Sequence, residues 1–555
     1  MDLPSDFRDA MIEAKNMHDE GRLLEAERIY RALAAPGPHR GMALEALSQL
    51  YLQQQRLDET HNTLKALTEE DPDSLHFCAL LANFLDSVDQ TQEAVDEYLR
   101  LLDRQPETAV AHFNLALLYR KQKRYSDALT AYEEAIRLDI DWPEEVYSNM
   151  GILYADMQRP DEAKAMYERA LEVSAEYVPA LYNLAGHIEE IGEKQRAIEL
   201  YERILSIEPT NWSSLSRVAY ARRTTSDNQD LIQRLERAIE EAQGDDAGRE
   251  GLYFALGKAY DDLERYDEAA AAYGAANDLG KLRVAPYDQK RTETAFDQLI
   301  ELFDAEWFNN ARAGATAAPI FVCGMPRSGS TLLEQMLGAH ASITVGGEID
   351  VLPWLIGRDL SPYPQGVRDA SPELLQRVRQ EYLSRVRELF PDYVHITDKR
   401  PDNFLHLGLI KALFPAARIV LTRRNILDNC LSLFFQQFGR KLTYATDLES
   451  AAHYRQQHDR LIAHWMECFG EDLFTVDYEE LIVSPEQIMR GLLDFLGLAW
   501  DPAVLEFQKG NTPVKTASLW QVRQALHTRS RGRWRNYEAL LGSLTELASP
   551  DETTA

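Results

Sequence analysis

The stretch FVCGMPRSGSTLLEQMLGAHASITVGGE, residues 321–348, decides how the carboxy-terminal part of this chain folds. Ile320 to Cys323 is an apolar run of strand type. Gly324-Met325-Pro326-Arg327-Ser328-Gly329-Ser330-Thr331 follows at once, and LLEQMLGAH continues with helical periodicity. Strand, glycine loop and helix in that order form a phosphate cradle, because glycines let successive amides converge and a helix amino terminus adds partial positive charge. Arg327, Ser328, Gly329, Ser330 and Thr331 are therefore the first candidate anion ligands. The spacing matches GxxxxGK[ST], except that Ser330 stands where the lysine belongs. A nucleoside triphosphatase relies on that lysine, so ATP or GTP hydrolysis is a poor assignment.

Downstream, Ala417 to Thr422 reads as a second buried strand, and Arg423-Arg424-Asn425 opens a helix through ILDNCLSLFFQQF. Arg424 and Ser432 lie eight residues apart, about two helical turns. The segment PRSGSTLLEQML resembles the 5'-phosphosulfate loop of sulfotransferases that use 3'-phosphoadenosine 5'-phosphosulfate (PAPS). The whole of 321–348 is most similar to tyrosylprotein sulfotransferases. The resemblance runs from about Ile320 to Tyr537 and implies a P-loop-like α/β domain with a parallel sheet. It implies that Arg424 and Ser432 hold the 3'-phosphate and that Tyr478 contacts the nucleotide. It also implies that Ser518, Gln521, Val522 and Arg533 belong to a segment that closes over PAPS. Two departures stand out: Gln436 replaces a second family arginine, and Arg533 replaces a lysine. The basic cluster from His527 to Arg535 reads as an anion-closing loop.

Sulfuryl transfer needs an in-line acceptor hydroxyl, a base for its proton and positive charge on the leaving oxygen. Glu348 is the candidate base, since Gly346 and Gly347 allow it close to the loop and the family's catalytic glutamate occupies that position. His340 is the rival, read as a helix cap. Lys399 is the candidate for the leaving oxygen, with an ion pair to Asp398 or Asp402 as its alternative role; Arg327 and Ser518 would share the charge. The leaving bisphosphate is already stable, so no metal is expected, and the four scattered cysteines offer no metal or disulfide spacing.

Upstream, a small residue, an aromatic or large apolar one four later and a small or apolar one three after that recur eight times. Ala26/Tyr30/Leu33, Ala94/Tyr98/Leu101, Ala128/Tyr132/Ala135 and Ala269/Tyr273/Ala276 are examples. The steps are 34, 34, 34, 35, 34, 34 and 38 residues, and Pro72, Pro106 and Pro209 fall where a helix must end. This resembles the tetratricopeptide repeat, a helix-turn-helix unit that stacks to share a core. The periodic tyrosines are read as core, not as a site.

The expected organisation is a repeat array of about eight units over 8–283, a helical connector and linker over 284–317, a sulfotransferase domain over 318–541 and a disordered tail over 542–555. All phosphate elements lie beyond 283, so truncation there is expected to preserve nucleotide binding. The net charge is −31, yet residues 319–541 carry 25 basic and 26 acidic side chains of the chain's 59 and 90. The acidity therefore lies outside the transferase domain, which argues against nucleic acid as a partner. No signal or membrane-spanning segment is visible, so a cytoplasmic enzyme without membrane association is expected. The expected activity is PAPS-dependent transfer to a protein or peptide tyrosine docked by the repeats. A glycan, lipid or small-metabolite acceptor, a non-catalytic nucleotide-binding scaffold, and self-association through the array are the alternatives.

Overall fold

The computed structural model describes residues 5–226, 229–304, 307–308, 318–439, 442–510, 513–516, 519–520, 522–524 and 526–547. It divides into two compact units, Met1–Ala180 and Leu181–Ala555. The cut falls inside the repeats.

In seven repeats a pair of helices is joined by a turn with one residue in the left-handed region: Gly21, Gln55, Asp89, Lys123, Gln158, Gly192 and Glu264. The next amide then bonds five residues back, as in Arg56 N–H to Tyr51 O at 2.9 Å and Arg124 N–H to Tyr119 O at 2.8 Å. This is the helix-ending motif that satisfies carbonyls left over at a carboxy terminus. The arginine side chain folds back over the ring it has just passed, 4.4 Å for Arg56 on Tyr51 and 4.2 Å for Arg124 on Tyr119. The small-and-aromatic pattern lies inward: Ala26, Ala94, Ala128, Tyr132 and Ala135 are fully buried. Helices end at Glu70, Arg104 and Ile207, two residues before Pro72, Pro106 and Pro209.

The helices that matter here are α1 (Val178–Glu190), most of which lies in the second unit, and, wholly within it, α2 (Trp212–Ala221), α3 (Asp246–Asp262) and α4 (Tyr266–Arg283). The next helix, α5 (Gln289–Leu302), buries Phe296, Leu299 and Leu302 in one core with Phe321, Leu421 and Trp465. The segment read as a connector thus belongs to the core of the carboxy-terminal domain. Gly408 makes room for Phe303, whose ring lies 2.4 Å from where a Cβ would sit.

Five parallel strands follow: β1 (Ile320–Gly324), β2 (Ile343–Thr344), β3 (His395–Lys399), β4 (Ile419–Arg423) and β5 (Leu473–Asp477), in the order β2-β3-β1-β4-β5. Alternation along β1 sends Phe321 and Cys323 to one core, and Ile320 and Val322 to another. Both faces are buried, which is why the strand reads as a continuous apolar run. Helices α6 (Ser330–Gly338), α7 (Ile426–Phe434) and α8 (Leu448–Phe469) complete the frame. Chain order reverses at β1, and in an open parallel sheet such a switch point opens a crevice at the carboxyl ends of the strands. Gly542–Leu547 forms a 3₁₀ turn, and the tail beyond it lies outside the described residues.

Candidate active site

The loop between β1 and α6 is held by backbone requirements that its glycines meet. Gly324 has φ +145°, and a Cβ there would lie 2.4 Å from Thr422 O. Gly329 has φ +100°, and a Cβ there would lie 2.7 Å from the Tyr478 ring. Arg327 also sits at positive φ, 69°, a conformation that costs a side-chain-bearing residue energy and that the neighbouring contacts must hold. Ser328 Oγ lies 2.6 Å from Thr422 Oγ1, so its side chain ties the loop to β4 rather than facing a ligand. Ser330 begins α6 and is buried, and Thr331 Oγ1 lies 3.2 Å from Thr516 Oγ1. The open amides of the first turn of α6 are what this loop offers an anion.

Across the switch point, Arg424 at the carboxyl end of β4 donates to Arg327 O at 3.1 Å and Ser530 O at 2.9 Å. Its guanidinium lies 5.0 Å from the Tyr478 ring centre. Arg327 Nε donates to Ser432 Oγ at 3.1 Å, so two residues read from separate motifs meet. Arg327, Arg424, Ser432, Tyr478, Val522 and Arg533 line one cavity of about 60 Å³. That is room for a few waters or a small anion. Burial, together with Arg424 and Arg533, pulls the Arg327 guanidinium down to about 10. Nε of Arg424 is buried without a hydrogen-bond partner among the described residues. Arg533 lines the same cavity but is ion-paired with Asp261 of α3 at 2.7 Å, so its charge is shared with the repeats.

On the other side of β1, Lys399 Nζ donates to Glu348 Oε1 at 2.8 Å; the lysine side chain is 1% exposed and the glutamate 42%. Asp398 and Asp402, considered as partners for the lysine, are engaged elsewhere: Asp398 by Tyr382 Oη at 2.6 Å, Asp402 by Arg400 at 3.1 Å. The turn carrying Glu348 rests on Glu334 of α6, whose Oε1 accepts from Gly347 N at 3.0 Å and from Thr397 Oγ1 at 2.7 Å. Burial pushes the Glu334 carboxyl up. His340 is taken up at the end of α6, with Nε2 3.0 Å from Ala499 O and Nδ1 3.0 Å from Ser342 Oγ. Ser518 and Gln521 lie outside the described residues.

Three supporting residues escaped the sequence reading. Asn429 donates to Pro326 O at 2.9 Å and braces the loop. Asp428 accepts from Gly532 N at 2.6 Å and Trp534 N at 2.8 Å, latching the basic segment onto α7. Glu334 is the third. Each is a polar residue within an apolar helical run, LLEQML or ILDNCL, and that mismatch was the available signal.

Residues 319–502 match the model of the Sulfotransferase family, and 109–141, 143–208 and 251–279 match Tetratricopeptide repeat models. An uncharacterised protein of Aquifex aeolicus (strain VF5) is 32% identical over 382 residues, 66% of this chain and 50% of that protein. Protein-tyrosine sulfotransferase 1 of Danio rerio is 30% identical over 205 residues, 34% of this chain and 56% of that protein. The chain thus spans about half the length of these curated relatives. The sulfotransferase domain of the Synechococcus PCC 7002 olefin synthase superposes with TM-score 0.32 at 21% identity, over 42% of this chain and 97% of that one.

Proposed function

The chain joins a sulfotransferase-family domain to tetratricopeptide repeats, and on that premise we propose that it transfers a sulfuryl group from PAPS to a hydroxyl, that of a protein or peptide tyrosine. The observation that carries this reading is the convergence of Arg327, Arg424 and Arg533 with Ser432 and Tyr478 on one cavity at the strand ends. The residues suit the phosphates of a doubly phosphorylated nucleotide: a guanidinium nitrogen of Arg424 buried without a partner among the described residues, and an Arg327 pulled down by burial and by two neighbouring arginines, are stabilised by an anion. In this reading the loop amides and Arg327 hold the 5' end, Arg424 and Ser432 the 3'-phosphate, and Tyr478 and Val522 flank the base. Ser518 and Gln521 complete the closing segment.

The donor supplies an activated sulfuryl group whose sulfur–oxygen bond to the 5'-phosphate breaks as the bond to the acceptor oxygen forms. Glu348 takes the acceptor's proton on its carboxylate, which its exposed side leaves accessible. Lys399, buried and oriented by Glu348, places its ammonium on the leaving oxygen. Most of the rate enhancement is then positioning and fixed charge, as in phosphoryl transfer. The four free thiols and the lack of a described helix long and apolar enough to cross a membrane support a cytoplasmic setting. Docking of the protein substrate by the repeats is part of the same proposal.

Calorimetry tests the donor reading. Adenosine 3',5'-bisphosphate binds far better than AMP or ADP, and Arg424→Ala weakens it about tenfold to a hundredfold. Equal affinity for the three nucleotides overturns the PAPS assignment. Labelled PAPS with a tyrosyl peptide tests the chemistry: Glu348→Gln lowers transfer by about 10²–10⁴ with bisphosphate affinity nearly unchanged. Near-normal turnover in that variant moves the base elsewhere.

A further inference from the structure

We propose that a second, larger cavity, walled jointly by repeat helices α1–α3 and by residues 514–516, 519 and 520 of the transferase, is the acceptor site, and that it takes a tyrosyl side chain from a peptide without acidic flanks. This rests on the transferase reading above, and it adds that the last repeats form part of the substrate pocket and set its specificity.

The cavity holds about 780 Å³, many times the space among the arginines. It adjoins the phosphate loop: Thr516 in its wall lies 3.2 Å from Thr331 at the start of α6. Tyr220 of α2, also in the wall, is close enough to Arg327 for the two to interact electrostatically. Trp212 and Tyr220 from α2, Tyr182 from α1 and Trp520 from the transferase supply flat apolar faces. Such rings suit an aromatic side chain. The hydroxyls of Ser216 and Tyr220 are buried without hydrogen-bond partners among the described residues. A buried polar atom left so is costly, and rotation of either side chain toward the cavity on peptide binding would give its hydroxyl a partner.

Charge sets the flanks. The wall's two arginines are each already paired: Arg217 with Glu189, and Arg283 with Glu250. Glu190 interacts electrostatically with Lys515, and Asp245 is also in the wall, so the wall carries no surplus of positive charge. Burial lifts Glu190 to about 7, so the cavity wall already holds one carboxylate at a cost. An acidic peptide would bring uncompensated charge into it, whereas a neutral one would not. Stacked repeats ordinarily bind extended peptides, which selects a peptide tyrosine as the occupant.

The test uses the full chain with PAPS and two tyrosyl peptides, one flanked by Gly, Ser and Ala, one by Asp and Glu. The neutral peptide is expected to show kcat/KM about tenfold or more above the acidic one. Trp212→Ala should raise its KM about tenfold, leaving kcat and the calorimetric affinity for adenosine 3',5'-bisphosphate within about threefold. Tyr220→Phe, which removes only the unpartnered hydroxyl, should raise KM less, with the melting temperature unchanged or higher. Preference for the acidic peptide, an unchanged KM in both variants, or transfer to neither peptide overturns the inference. Bisphosphate binding separates the two failures: if it is normal, only the acceptor assignment falls; if it is absent, the donor reading falls as well.

Discussion

The repeats before Ala180 and those after it are built on the same helix pair, yet their carboxylates meet different surroundings. In the first unit Glu25, Glu59, Glu134 and Glu162 each accept from an arginine three residues away and are held below the usual carboxylate range by it. Those pairs are solvent-exposed and contribute little. In the second unit Glu189, 1% exposed, accepts from Trp520 Nε1 at 2.9 Å and from Tyr201 Oη at 3.0 Å, and pairs with Arg217. Asp261 holds Arg533 at 2.7 Å and accepts from Tyr537. Asn277 donates to Phe434 O at 2.8 Å, and Tyr273 stacks on Phe435 at 4.1 Å. The same repeat can therefore be scaffold in one place and packed against the carboxy-terminal domain in another. The difference lies in the residues that the periodicity does not dictate.

The largest expected effect comes from where the array is cut. Deleting residues 1–177, which keeps α1 whole, should leave bisphosphate affinity within about threefold. Deleting 1–283 strips Trp520, Arg533 and Phe435 of their partners and should lower affinity by about a hundredfold or more, or leave an insoluble chain. This reverses the expectation that truncation at 283 is harmless to nucleotide binding. Equal behaviour of the two truncations by calorimetry would erase the distinction between the two groups of repeats.

A smaller effect is expected from single carboxylates. Asp261→Ala leaves Arg533 without its partner beside the arginine cavity and should weaken bisphosphate binding about tenfold. Asp156→Ala, which removes a surface partner of Arg120 in the first unit, should leave affinity and melting temperature essentially unchanged. Glu27→Gln and Glu189→Gln sharpen the comparison further. Glu27 is buried and bonded to Tyr51 and Arg56, so both substitutions should lower the melting temperature, but only Glu189→Gln should raise KM for the acceptor peptide.

The smallest effect is a difference of sign with pH. Burial raises Glu190 from its ordinary 4.5 to about 7, so its contribution to stability is complete below about pH 4.5 and is lost as the pH rises towards 7. For Glu162, held low by Arg159, the sign is opposite: any contribution is present above pH 4.5 and is lost on acidification. Melting temperatures of the chain lacking residues 1–177, taken at pH 5 and 7.5, should fall with pH, and Glu190→Gln should flatten that slope. A slope unaffected by the substitution would show that Glu190 is not buried against the transferase segment.

Much of the candidate site was legible because its signals are local. A phosphate loop needs a strand, glycines at fixed offsets and a helix start, all within a dozen consecutive residues, so Arg327 and Gly329 could be read directly. Arg424 and Ser432 needed a single helix to relate them. The repeats were legible for the same reason, since 34-residue periodicity is a property of the chain before it folds. Other pairings had no such signal: Glu334 with Gly347, Asp428 with Gly532, Asp261 with Arg533, and the Lys399 ammonium with Glu348 instead of with its sequence neighbours. Residues far apart in sequence meet only when burial brings their elements together, and a buried charge takes whichever opposite partner the packing delivers. Sequence by itself determined the element types, the glycine loop between β1 and α6 and the period of the array. Tertiary packing alone decided that α5 joins the transferase core, that the last repeats share a unit with the transferase, and which carboxylate each buried cation would meet.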